Sequence, residues 1–231
     1  MQKRGLSQEG MKVICCLVMV FGHTAALFFP HVMWVWMFGR FVFPLYCFML
    51  VEGAYHTKNP LKYGLRLLIG ALISELPYDY AMYGGFTWHQ QSVMLTLLIG
   101  FTMVICMKCL KNPILQMLVV VPFALAAQWA NVDYGGMGVV LIAMFALTRD
   151  MPHKFLIQTV ALAAISYMTS KAMVSIGGIE IRVQLFAVFA MIPLSLYSGR
   201  KVTNHKALQW GFYLFYPVHL AVLYICKYIL F

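Results

Sequence analysis

The chain has 231 residues, of which 62% are apolar and only 10% are charged, and its formal net charge is +10. Because about a quarter of the residues in soluble domains are charged, this composition excludes a water-soluble globular protein and indicates lipid as the solvent. The basic residues stand between apolar runs, so membrane topology explains them better than nucleic-acid binding does.

The apolar runs predict one all-α domain over residues 1–231, a polytopic transmembrane helix bundle. A spanning helix needs about 20 mostly apolar residues, and glycine, proline and asparagine residues separate the runs. The predicted spans number about nine and lie at 12–30, 39–56, 62–82, 92–109, 113–131, 135–148, 154–170, 181–197 and 208–229. Eight or ten spans remain alternatives, because the region 130–150 divides in more than one way.

The basic residues predict the orientation of the chain. With nine spans, 13 of the 17 lysines and arginines fall on one side, while Arg40, Lys171 and Arg182 fall on the other. Because cytoplasmic loops are enriched in lysine and arginine, this distribution places the N-terminus in the cytoplasm. Lys3 and Arg4 precede the first apolar run, which is long for a signal peptide, so we expect it to remain as the first span.

The six cysteines lie in or beside apolar runs and show no repeated spacing. We therefore expect small apolar fillers, without a disulfide framework. Cys106 and Cys109 form a Cys-x-x-Cys pair, but no second pair stands near it, so no metal is expected.

Ionisable side chains inside spans are costly and usually line a polar interior. His23 lies near the middle of the first predicted span, and His219 lies mid-span in the last one, three residues after Tyr216. Imidazole suits proton transfer near neutral pH, and a bundle can bring its first and last helices together. We predict that His23 and His219 are catalytic and that Tyr216 binds substrate. The alternative is a pair of histidines that only hydrogen-bond between helices.

A second group of polar residues lies on the next spans. Arg40 opens the second span, where it is either an anion or carbonyl clamp or the partner of Glu75 or Asp79 in an ion pair. Glu75 and Asp79 share one helix face by their i,i+4 spacing. Pro77 stands between them and loosens the backbone ladder, which is typical of a helix that lines a polar cavity.

Three further residues are candidates for substrate binding. Glu52 and His56 are one helical turn apart and share a face near the cytoplasmic end of their span. Asp133 lies in a glycine turn on the outer side. The alternatives are an interfacial polar pair and an ordinary turn aspartate.

Short blocks along the chain resemble those of a known family. They are Gly22-His23, GRFVFPL at 39–45, VEGAYHTKN at 51–59, LISELPYD at 72–79, Asp133-Tyr134-Gly135, QLFA at 184–187 and FYLFYPVHL at 212–220. In order and spacing these blocks resemble the TraX family of membrane proteins, named for the F-pilin acetylase, and they cover nearly the whole chain. One departure is Gly22, where the family usually shows aspartate before the histidine.

The resemblance implies a bacterial inner-membrane acetyltransferase that moves acetyl from cytosolic acetyl-CoA to an amine or hydroxyl acceptor. In the named member the acceptor is the N-terminus of a pilin subunit, so a peptide N-terminus is expected here, with a sugar or a lipid as alternatives. The resemblance also implies kinship with polytopic acyltransferases that use an intramembrane histidine as general base. Gly22 leaves the electrostatics around His23 open.

Roles for individual residues follow within this implied reaction. The nucleotide phosphates of CoA are expected at basic residues of the cytoplasmic side, although positive-inside bias alone also explains these residues: Lys58, Lys62, Arg66, Arg200 and Lys201. A histidine acts either as general base or as a transiently acetylated nucleophile. Arg40 stabilises the oxyanion or holds an anionic part of the acceptor, and Glu75 or Asp79 binds an incoming ammonium.

Two other functions fit the same residues. Intramembrane carboxylates, histidines and an arginine also suit a proton-coupled small-molecule transporter, although no internal repeat of the kind that builds many transporters is visible. A catalytically silent membrane scaffold is the other alternative, which the glycine at position 22 keeps open. The sequence does not specify acyl-chain length or oligomeric state.

Overall fold

The computed structural model describes residues 5–169, 172–203 and 206–230 and consists mainly of packed α-helices. The α-helices are α1 (Gln8–Phe28), α2 (Met33–Gly39), α3 (Val42–His56), α4 (Pro60–Tyr83), α5 (Val93–Lys108), α6 (Pro113–Trp129), α7 (Gly135–Leu147), α8 (Lys154–Thr169), α9 (Met191–Ser195) and α10 (Lys206–Ile225). An antiparallel hairpin of β1 (Met173–Ile176) and β2 (Ile179–Arg182) follows α8. A 3-10 helix, Val183–Ala190, precedes α9, and a π-helical turn, Cys226–Leu230, follows α10.

Local sequence explains where several helices begin and end. The Ser7 side chain accepts a hydrogen bond from the Gly10 N–H and caps α1. Asn59 caps α4 in the same way, with Pro60 in the first turn, where a missing N–H costs nothing. Gly84 ends α4 with a φ of 77°, a left-handed conformation that glycine adopts without strain.

Helix α7 lies at the centre of the bundle. Nine of the 13 residues of α7 are buried, and this helix packs against α3, α5, α6 and α8. On one side of this core α10 packs against both α4 and α1, and α1 also contacts α3. The first and last long helices of the chain therefore lie side by side, as the sequence predicts for a bundle that unites His23 and His219.

The helices match the predicted spans in position, with two differences. Helix α2 is an additional short helix before the second predicted span. The predicted span at 181–197 contains the end of β2, a 3-10 helix and the short α9 in place of one long helix. Gly177 and Gly178, with φ values of 59° and 84°, form the hairpin turn that diverts the chain before this segment.

The exterior of the bundle is apolar, which is the reverse of a soluble protein. Leu72, Leu125 and Leu156 are each about two thirds exposed, at 66%, 65% and 66%. Among the described residues, Gln8–Phe28 and Met37–His56 are long and apolar enough to cross a membrane. The count of about nine spans and the cytoplasmic N-terminus stay predictions, and Lys3, Arg4 and Lys171 lie outside the described residues.

Candidate active site

The two predicted histidines form a hydrogen-bonded pair between α1 and α10. Nδ1 of His219 lies 2.9 Å from the carbonyl oxygen of Phe215. A carbonyl only accepts, so this nitrogen carries the proton, and Nε2 of His219 is left as an acceptor. Nδ1 of His23 lies 2.8 Å from that Nε2 and therefore donates to it. These tautomers, assigned from the hydrogen-bond network, leave the lone pair of His23 Nε2 free to accept a proton.

A cavity of about 300 Å³ leads toward this pair between α1, α3, α4, α5 and α10. Lys12 and Met19 line the cavity on α1, and His23 is the next residue on the same helix face. Tyr216 lines the cavity on α10, and His219 follows it by three residues on the same face. The histidine pair thus lies one helical turn beyond the inner end of the cavity.

The outer end of the cavity, which we call the basic end, carries the side chains of Lys12, Arg66 and Lys201. Lys12 lies within electrostatic range of both Arg66 and Lys201. Nε of Arg66 is buried and has no hydrogen-bond partner within the described parts of the chain. Positive charges that lie close together repel one another, and a bound anion would relieve this repulsion and accept from Nε of Arg66. The basic end therefore suits a polyanionic ligand.

Backbone pairing holds Lys201 at the basic end. The Leu6 N–H donates to the carbonyl of Leu196 at 2.7 Å, and the Gln8 N–H donates to the carbonyl of Arg200 at 2.9 Å. The Glu9 carboxylate accepts from the backbone N–H of Val202 at 2.9 Å. The segment before α1 is thereby joined to the segment before α10, although they are almost two hundred residues apart in sequence.

Gly22, the residue that departs from the family pattern, lies at a close contact between α1 and α2. A Cβ atom at position 22 would stand 3.1 Å from the Cα of Gly39, and the reverse distance is 3.2 Å. An aspartate here would push α2 away from α1. Glycine therefore serves the packing that brings the segment with Arg40 against the helix with His23.

The three predicted carboxylates at the far end of the bundle, which we call the carboxylate end, are held mainly by nearby groups. Glu75 accepts from the Ser92 hydroxyl at 2.7 Å and from the Ser92 N–H. Asp79, only 2% exposed, accepts from the Thr87 N–H at 3.2 Å through Oδ2. Its Oδ1 is buried and has no hydrogen-bond partner among the residues that the structure describes.

Asp133, the third of these carboxylates, is associated with Arg40. Its Oδ1 accepts from the Gln90 amide at 3.1 Å and from the Tyr134 N–H at 3.0 Å. Arg40 hydrogen-bonds with the Tyr134 side chain and acts through its charge on Asp133. Burial raises the pKa of Asp133 to about 6, against the opposing effects of the Tyr134 N–H and the Arg40 charge.

Glu52 and His56 line the cavity near the basic end but are already engaged with the protein. The Glu52 carboxylate lies 3.0 Å from Nε of Arg149. Nδ1 of His56 lies 2.8 Å from the Glu52 carbonyl oxygen and 3.7 Å from its carboxylate. Arg149 also stacks over the Tyr55 ring at 4.5 Å. This arrangement ties α3 to the end of α7.

The structure separates the basic residues that the sequence groups together. Arg66 and Lys201 line the cavity, whereas Lys58, Lys62 and Arg200 are not among its lining residues. Lys12 is a lining residue that sequence reasoning missed. The spacing in the sequence could have indicated Lys12, because Lys12, Met19 and His23 share one face of α1 at positions i, i+7 and i+11.

Comparisons with known proteins agree with the sequence blocks. The family model described as TraX protein matches residues 7–227. The chain is also similar to a "Probable fimbrial assembly protein FimC, serogroup H1" of Dichelobacter nodosus, with 28% identity over 92% of this chain and 92% of that protein. No solved structure matches. Since the family match runs through nearly all of α1 to α10, this helical membrane protein belongs to the TraX family.

Proposed function

We propose that this protein is a membrane-embedded acetyltransferase that moves acetyl from acetyl-CoA to an amine, with His23 as general base. The observation that carries the proposal is the hydrogen-bonded pair of His23 and His219 one turn beyond a cavity with a basic end. Family membership and the relative named as a fimbrial assembly protein support a fimbrial subunit as the acceptor.

The donor suits the cavity in both charge and shape. CoA carries several phosphates on its nucleotide and ends in a long, narrow pantetheine arm. In the proposal the phosphates bind Lys12, Arg66 and Lys201, and the arm follows the cavity inward to Tyr216. The buried Nε of Arg66, which has no partner in the part of the chain that the structure describes, would donate to a phosphate oxygen.

The acceptor in this proposal approaches from the carboxylate end. Within the described residues, Oδ1 of Asp79 is buried and without a partner, so it offers an acceptor position for the ammonium form of an amine. The ammonium first releases one proton to water, and the neutral amine then attacks while Nε2 of His23 takes a second proton from the attacking nitrogen. The new bond joins that nitrogen to the acetyl carbon, while the C–S bond breaks and CoA leaves as a thiol with the proton from His23.

His219 acts through His23 in this scheme. By accepting from Nδ1 of His23, it holds that ring in the tautomer whose Nε2 is basic. It also stabilises the imidazolium that forms when His23 takes the proton, because the pair shares the charge over two rings. His219 is therefore a positioning residue.

The experiment compares wild-type protein with His23→Ala in two measurements. In detergent, acetyl-CoA is expected to raise the unfolding temperature of both proteins, since the donor binds elsewhere in the cavity. In cells that express a fimbrial subunit, mass spectrometry is expected to find the acetylated N-terminus with wild type and not with His23→Ala. His31→Ala, which removes an exposed histidine from the loop after α1, is the matched control.

Two results would overturn the proposal. Acetyl transfer that persists in His23→Ala removes His23 from the mechanism. A wild-type protein that acetyl-CoA does not stabilise, but that carries protons across vesicles without CoA, is a transporter.

A further inference from the structure

We infer that the Tyr216 hydroxyl and the first turn of α5 form the oxyanion site that polarises the thioester carbonyl of the donor. This inference rests on the proposed acetyl transfer and assigns a catalytic group to it. It concerns the point where the cavity ends and the histidine pair begins.

The first observation is an unused hydrogen-bond donor. The Tyr216 side chain is only 4% exposed, and its hydroxyl is buried with no hydrogen-bond partner within the described part of the chain. A buried hydroxyl without a partner destabilises the folded protein. Because Tyr216 lines the cavity, a ligand there is the natural partner for this hydroxyl.

The second observation is that Val93, the first residue of α5, lines the same cavity as Tyr216. The N–H groups in the first turn of a helix have no partner within the helix, and the helix dipole adds partial positive charge there. The preceding N–H, that of Ser92, already donates to Glu75, so the Val93 N–H is the next donor of this turn that a ligand in the cavity can use.

The third observation is the distance to the base. The ring of Tyr216 lies 6.0 Å from the ring of His23 and 5.6 Å from that of His219, measured between centroids. The Tyr216 ring therefore lies beside both imidazoles, where the cavity lining meets the histidine pair. In this inference the carbonyl oxygen accepts from the Tyr216 hydroxyl while His23 takes the proton of the attacking nitrogen.

Acetyl transfer passes through a tetrahedral intermediate. The acceptor nitrogen bonds to the acetyl carbon, and the C=O electron pair moves onto oxygen, where the Tyr216 O–H and the Val93 N–H donate to it. The nitrogen loses its proton to Nε2 of His23. The C=O bond then re-forms, the C–S bond breaks, and the departing thiolate takes the proton from His23.

Infrared spectroscopy of bound acetyl-CoA, labelled with carbon-13 at the thioester carbonyl, tests the inference without knowledge of the natural acceptor. In wild-type protein the carbonyl band is expected to move to lower wavenumber than in water, and in Tyr216→Phe it is expected to return toward the unpolarised position. With hydroxylamine as a small amine acceptor, Tyr216→Phe is expected to lower kcat by about 10²-fold and to leave KM for acetyl-CoA within about twofold.

Two further variants make the result decisive. Val93→Pro removes the amide hydrogen and keeps an apolar side chain, at a helix position where proline is favoured, and Ser92 already has the extended backbone (ψ 156°) that precedes proline. It is expected to reduce the band shift in the same direction, even if Tyr216→Phe fails to fold. Tyr78→Phe removes a buried hydroxyl that is not part of the cavity lining and is expected to leave the band in place.

The outcomes separate the two proposals. Acetyl-CoA that binds with an unshifted band, or with a shift that both Tyr216→Phe and Val93→Pro retain, overturns the oxyanion site and leaves acetyl transfer standing. Acetyl-CoA that does not bind wild-type protein at all overturns both.

Discussion

The basic end and the carboxylate end of the bundle differ in how far their polar groups already have hydrogen-bond partners. At the carboxylate end Glu75 is bound to Ser92, and Asp133 is bound to Gln90 and Tyr134. Of the three carboxylates there, only Asp79 has a buried oxygen without a partner among the described residues. At the basic end the positive charges gather around a cavity, and within the described ranges Nε of Arg66 has no hydrogen-bond partner.

This difference helps to separate residues that build the fold from residues that await a ligand. A satisfied buried carboxylate needs nothing further, since its hydrogen bonds already replace those to water. The unsatisfied atoms are the ones that a ligand would complete, and three of them stand out: Nε of Arg66, the hydroxyl of Tyr216 and Oδ1 of Asp79. They lie at the basic end, in the middle and at the carboxylate end.

The largest effect is expected from His219, which stands between the two ends. His219→Leu removes the acceptor for His23 Nδ1 and frees the His23 ring to adopt the wrong tautomer, so acetyl transfer is expected to fall by about 10³-fold. His219→Gln places an amide oxygen close to the position of Nε2 and is expected to restore about tenfold or more of that loss. The measurement is kcat with hydroxylamine as acceptor, over a range of pH.

Equal losses in His219→Leu and His219→Gln would contradict the positioning role. They would mean that the His219 ring itself takes part in the chemistry. A pH profile that keeps its shape in both variants would point the same way, because removal of the partner should alter the titration of His23.

The histidine pair and the helix bounds are the parts that the sequence predicts well. His23 and His219 are conspicuous because each stands near the middle of an apolar run, where an ionisable group is rare. Asn59 and Pro60 mark the start of α4 by their chemistry alone. These features are local, so a single sequence contains them.

The basic end is the part that the sequence does not predict. Lys12 and Lys201 meet because residues 5–9 pair with residues 196–202, and nothing local to either segment specifies the other. The same holds for Glu52, whose partner Arg149 lies 97 residues away. This ion pair occupies the carboxylate to which the sequence assigns substrate binding. The ion pair depends on the packing of α3 against α7, which the sequence does not reveal.

The second prediction tests the basic end directly. Arg66→Gln combined with Lys201→Gln is expected to weaken acetyl-CoA binding by about 10²-fold, since each charged hydrogen bond contributes about 1.5–3 kcal/mol. Binding of acetylpantetheine, which lacks the nucleotide phosphates, is expected to change little. Calorimetry at low and high salt measures both, and the salt dependence should shrink in the double variant.

Lys111→Gln is the control, since this exposed lysine follows α5 outside the cavity lining. An equal loss of acetyl-CoA binding in the control would show that overall positive charge matters and that the basic end is not a specific site. An equal loss of acetylpantetheine binding in the double variant would show damage to the cavity itself.

The smallest effect concerns the carboxylate end and is a matter of stability. Because burial raises the pKa of Asp133 from 3.8 to about 6, the folded protein holds a proton between about pH 4 and pH 6 that the unfolded chain has lost. The free energy of unfolding therefore falls as pH rises through this window, and the full destabilisation by the buried charge is present above about pH 6.

Asp133→Asn keeps the acceptor oxygen for Gln90 and Tyr134 but removes this ionisation. We expect the variant to be more stable than wild type by about 2–3 kcal/mol near pH 7.5 and by clearly less near pH 5, measured by thermal unfolding in detergent. The opposite sign near pH 7.5 would mean that Arg40 stabilises the charged form of Asp133, and the carboxylate end would then be held together by an ion pair, unlike the basic end.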